Sequence, residues 1–158
     1  MLSQAALQPP FESINFDMDA VANIKRAINL TFGDEQPEVA GACVAIVNFL
    51  TEQLNGRRLH LTMSLLMDVV KPGSEESLFI ALNYLSGARF NLLEMCFEFV
   101  DENDEYHPLT KSEISEARKT KQLLHPVSGE IVRDFESSVL VYFSTTQRAD
   151  SILLKGVE

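Results

Sequence analysis

A chain of 158 residues with 46% hydrophobic side chains has the length of a single globular domain, able to bury a core without metal or disulfide help. Its 23 acidic and 13 basic residues give a net charge of −10, a field that repels nucleic acid and anionic membranes and favours basic partners. The plainer use of that charge is solubility.

Residues 1–16 show no periodicity, and Pro9-Pro10 forbids a continuous helix. The stretch lacks the basic start and long apolar run of a signal peptide. It reads as an extended lead-in, with Phe11, Ile14 and Phe16 turned to the core. Asp17 or Asp19 caps a first expected helix ending near Thr31, striped by Ala20, Val21, Ile24, Ala27, Ile28 and Thr31 and closed by Gly33. Pro37 opens a second helix, running to Leu54, whose apolar residues go almost all round: Val39, Cys43, Val44, Ile46, Val47, Phe49 and Leu50. Such a helix is central, and Ala40, Gly41, Ala42 and Ala45 permit close backbone approach.

A third helix is expected over 58–70 and ends at Lys71-Pro72-Gly73. Ser74 caps a fourth, with Glu75 and Glu76 in its first turn and Gly87 as a left-handed cap. Near Phe90 the apolar period changes from helical to alternating: Leu93, Met95, Phe97 and Phe99 interleave with Glu94, Cys96 and Glu98, giving a strand over 91–100. Asp101 to Glu105 is an acidic turn. Thr110 and Glu113 make a capping box, and Leu109 with Ile114 a hydrophobic staple, so a fifth helix runs from Lys111 to about Gln122. Pro126 to Gly129 is a turn between short arms at 123–125 and 130–133. A second strand, 138–146, is apolar on both faces and reads as central or helix-covered. Residues 147–158 read as a tail anchored by Ile152, Leu153 and Leu154.

The expected fold is therefore α+β: about five helices and a small, mainly antiparallel C-terminal sheet, organised as a lead-in (1–16), one domain (17–146) and a tail (147–158). Two helices across a short break, then strands, is also the order of a winged helix, with residues 75–86 in the recognition position. That helix starts Glu75-Glu76 and offers only Asn83 as a base reader, which suits protein contact better than DNA.

The chemistry-bearing motifs are missing. There is no G-x-S-x-G turn, no Cys-His signature and no glycine pattern for phosphate. Cys43 and Cys96 lie in apolar runs, as buried thiols do. His60 sits among leucines, and His107 and His125 each precede a proline in a turn. These five side chains are scattered without metal-ligand spacing, and the 101–105 run lacks the glycine and glutamate of a calcium loop. No catalytic residue, metal or cofactor is expected.

What remains is a surface for another protein. The candidate partner-binding residues are Asp101, Glu102, Asp104 and Glu105 in the acidic turn, and Lys111, Arg118, Lys119 and Lys121 on the fifth helix, the densest basic patch. They lie in a stretch between the two strands, about 101–137, longer than folding requires. The expected function is a non-catalytic interaction module in a cytoplasmic assembly. The alternative is an acidic inhibitor or immunity-type protein covering a basic surface.

Overall fold

The computed structural model describes residues 20–153. The lead-in over 1–16, the cap expected at Asp17 or Asp19, and the anchor expected at Leu154 lie outside the described residues. Within them, six helices and a short 3-10 turn pack with a four-stranded antiparallel sheet and a separate two-stranded hairpin. The α+β class and the small antiparallel sheet match the sequence reading.

Helix α1 (20–32) buries Ile24, Ala27, Ile28 and Phe32. Thr31, expected in the stripe, is exposed and meets Tyr84 through their hydroxyls at 3.2 Å. Gly33 closes the helix by donating its N–H to Asn29 O, so tightly that a Cβ there would lie 2.5 Å from the same oxygen. Helix α2 (Pro37–Gln53) is central as expected: Val39, Cys43, Ile46, Val47 and Leu50 are all buried, while Val44 is only half-buried. Gly41 faces open space, so no neighbouring backbone exploits its small size.

The helix expected over 58–70 begins late. Residues His60–Thr62 form strand β1, and α3 covers only Met63–Val70. Leu59 and Leu61 alternate with Arg58, His60 and Thr62, a strand pattern too short to stand out against the helix beyond it. Tertiary pairing decides the outcome. Arg58 donates to Thr145 O at 2.7 Å, Leu59 N–H donates to the fully buried Thr145 hydroxyl at 2.9 Å, and Thr62 Oγ1 then caps α3 by accepting from Leu65 N–H.

After the Lys71–Ser74 break, Ser74 caps α4 (Glu75–Ser86), and its own N–H donates to Glu38 on α2 at 2.6 Å. Gly87 ends α4 in an extended conformation, not the left-handed one expected.

Strand β2 (Leu93–Val100) turns through 101–105 into β3 (Tyr106–Leu109). Helix α5 (Lys111–Thr120) carries the expected capping box complete, and it stops two residues before Gln122 because Lys121 takes a left-handed cap. The expected hairpin forms as β4 (Leu123–Leu124) and β5 (Ile131–Val132). A 3-10 turn at Phe135–Ser138 leads into β6 (Val139–Thr145). Part of the expected tail is instead a helix, α6 (Gln147–Leu153). Thr146 Oγ1 caps it by accepting from Ala149 N–H, and Ala149 and Leu153 are buried.

The sheet order is β1-β6-β2-β3. Strand β6 is interior as expected, with Leu61 opposite Phe143 on one side and Leu93 opposite Thr145 through Phe99 opposite Val139 on the other. One face, carrying Leu93, Phe97, Phe99 and Phe143, is buried; the other stays open, with Leu140 exposed and Tyr142 half-buried. Two hydrophobic clusters result. The larger joins the helices to Leu61, Leu93 and Phe143; the smaller holds Phe97, Phe99, Leu109, Ile114, Ala117, Leu123 and Phe135, and Val141 packs against both.

Candidate functional site

The 101–105 turn is tied to its neighbours through one side chain. Asp101 Oδ1 accepts the backbone N–H groups of Asn103 at 2.8 Å and Glu105 at 2.9 Å. Its Oδ2 meets His107 Nε2 at 2.8 Å and His125 Nε2 at 3.3 Å. The hydrogen bond from His107, then those from the Glu105 and Asn103 backbone and from His125, hold the Asp101 carboxyl well below the usual carboxylate range despite its desolvation. An ionised carboxylate only accepts, so both imidazoles donate. The Asp101 side chain is 7% exposed and its acceptor positions are used, so it offers a partner no free acceptor. Glu102, Asp104 and Glu105 are exposed.

In the sequence the two histidines are separate turn residues. The fold gathers them: the β2–β3 register sets His107 opposite Phe99 beside the turn, and the β4–β5 hairpin brings in His125. The three ligand atoms lie within 4.8 Å of one another, the spacing of a metal site. The hydrogen bonds of His125 argue against one. Its Nδ1 accepts from the N–H groups of Val127 at 3.1 Å and Ser128 at 3.3 Å, so the proton resides on Nε2. A metal on Nε2 requires that proton on Nδ1, facing two N–H donors. The cluster is a hydrogen-bonded staple joining the acidic turn, β3 and the hairpin. Asp101 and His125 also line a cleft of about 670 Å³, together with Glu102, Val127, Glu130 and Arg133.

The basic residues build a different surface. Lys111, Arg118 and Lys119 edge a groove of about 510 Å³ floored by Met95, Phe97 and Ile114. The Arg118 guanidinium carbon stands 5.8 Å from the Phe97 ring centroid. Lys121, in the left-handed cap, is not part of this groove. Asp101, Glu102 and Glu105 therefore line one depression and Lys111, Arg118 and Lys119 another, while Asp104 and Lys121 line neither.

Neither cysteine is primed for nucleophilic chemistry. Burial pushes the Cys43 thiol up to about 12. Burial, then the charge of Glu94, raises that of Cys96. His60, expected in a helix, stands on β1, stacks on Tyr142 with ring centroids 4.0 Å apart, and approaches Glu98 at 3.4 Å. No helix among the described residues is long and apolar enough to cross a membrane. No protein-family model, curated protein or solved structure matches the chain.

Proposed function

We propose that the chain is a non-catalytic protein–protein interaction module, a subunit or regulator of a larger cytoplasmic assembly. One observation carries this reading. Strands β2 and β6 pair directly along their length, yet residues 101–138 between them build a second hydrophobic cluster on Phe97 and Phe99 and display the charged turn and helix α5. A connection that only had to join two neighbouring antiparallel strands needs a few residues.

The scaffold reading is winged-helix-like. Its support is the order α2, β1, α3, α4, β2, β6 with β6 between β1 and β2. In that layout α4 is the recognition helix, and its leading Glu75 and Glu76 oppose phosphate. Duplex DNA is expected to give no mobility shift at physiological salt. Catalysis finds no support in the Asp101 cluster, since the His125 nitrogens and the Asp101 oxygens are committed to hydrogen bonds.

A second reading, an acidic inhibitor covering a basic surface, is favoured by the exposed Glu102, Asp104 and Glu105. Affinity capture from the native cell, followed by binding measurements with the purified partner, tests both. In the inhibitor case wild-type binding is salt-sensitive, and reversing Glu102, Asp104 and Glu105 to lysine, with Asp101 kept, slows association. A salt-tolerant complex unaffected by reversal leaves the module alone standing, and a chain that binds no protein overturns both.

A further inference from the structure

We infer that the groove between α5 and β2 is a docking site for a short acidic peptide carrying an apolar anchor residue. The inference deepens the interaction-module reading and rests on it.

Helix α5 separates its charges by face. Lys111, Ser115, Arg118 and Lys119 follow the i, i+4, i+7, i+8 spacing of one helical stripe and all edge the groove. Glu113 and Glu116 fall off that stripe, and the Glu113 carboxylate is occupied in the capping box. Among the described residues, none of these three cations forms an ion pair; the bridges present involve His60, Lys71, His107 and His125. Three cations along one edge, without an ion pair among the described residues and with Arg118 standing over the Phe97 ring, make a local positive field in a chain of net charge −10.

The floor supplies the second half of the specificity. Met95 lies on the core side of β2, with Leu93, Phe97 and Phe99, yet it is 39% exposed. A flexible, polarizable methionine adapts to varied apolar anchors. Met95 and Lys111 also edge an adjoining hollow of about 390 Å³ that reaches Thr146; Glu94 lines that hollow too, so the peptide's carboxylates belong on the Arg118 and Lys119 side. That chemistry fits an extended segment with one leucine-like side chain on Met95, the exposed apolar residue of the groove, and carboxylates at Lys111, Arg118 and Lys119. Arginine in particular grips a carboxylate with two parallel N–H donors. A nucleic acid fits less well, because a phosphodiester backbone carries no aliphatic side chain to place on Met95.

Fluorescence anisotropy on the full chain tests this with a labelled peptide of Asp and Glu flanking one Leu. Companion probes replace the Leu by Gly, replace the acids by Asn and Gln, or substitute an oligothymidylate of equal charge. The expected result is saturable binding that falls about tenfold without the leucine and about tenfold or more in Arg118→Gln/Lys119→Gln. Both positions are solvent-exposed, and an unchanged melting temperature verifies the fold of the variant. The inference is overturned by absence of saturable binding, by equal binding of the neutral peptide, or by tighter binding of the oligonucleotide. Self-association that disappears in the same variant also overturns it, because a second copy then fills the groove. If the captured partner binds wild type and variant equally and the peptide fails, the groove proposal falls while the module reading survives. If the peptide binds but no protein partner exists, the module reading falls instead.

Discussion

His125 reaches Asp101 across 24 residues of chain, its Nε2 standing 3.3 Å from Asp101 Oδ2 while its Nδ1 accepts two backbone N–H groups. One imidazole thus closes its own turn and clamps that turn to another. The acidic residues around Asp101 are displayed on a frame that Asp101 itself holds.

Because the folded state holds the Asp101 carboxyl below its ordinary range, its contribution to stability is complete above the unfolded value of about 4 and is lost as pH falls through the lower, folded one. In an acid titration followed by NMR, the Asn103 and Glu105 amides are expected to hold their shifts while the exposed carboxylates protonate. Movement of those amides together with the exposed carboxylates would show Asp101 to be unperturbed. Asp101→Asn should lower the melting temperature and speed amide exchange at both positions.

Zinc provides a direct test of the His125 tautomer. With the proton on Nε2, added Zn²⁺ should leave the melting temperature unchanged, since a ligand stabilises only a state it binds. A saturable rise in wild type that vanishes in His125→Ala would mean the staple rearranges into a metal centre.

Val47 on α2 is fully buried, so Val47→Asp places a charge where nothing pairs it. The expected cost is about 3 kcal/mol or more, read by urea unfolding. Wild-type stability in this variant would contradict the central position of α2.

Thr110→Ala removes one half of the capping box and orphans the Glu113 N–H, now held at 3.0 Å. A loss of about 1 kcal/mol and faster hydrogen exchange over 111–114 are expected. Unchanged exchange would place the determinant of the α5 start elsewhere.

Features legible in the sequence were those encoded locally. The apolar girdle of α2, the Ser74 and Thr110 caps, and the alternation through β2 and β6 each need only a few neighbouring residues to be read. Features that depend on distant partners were not. Strand β1 is three residues long and exists because Thr145 and Phe143 pair with it. Strand β3 contains Pro108, which argues against a strand; it survives because β3 is an edge, where a missing N–H breaks no second ladder. Helix α6 is too short to show a period. The candidate site divided the same way. The cations on α5 were visible as a cluster, but Met95 as their exposed floor was not, because strand alternation reads it as core. Asp101 in an acidic run has the sequence signature of surface charge, and only the hairpin registers reveal the two histidines converging on it.

The placement of β6 between β1 and β2 also governs how the chain can be synthesised. Strands β1 and β2 leave the ribosome well before their common partner, and neither bonds to the other. Until residues 139–145 emerge, each presents an unpaired edge of N–H and C=O groups, the kind of template on which nascent chains aggregate. A chain cut short before Val139 would therefore lack more than its last strand. It would have no sheet to join β1 to the rest of the molecule.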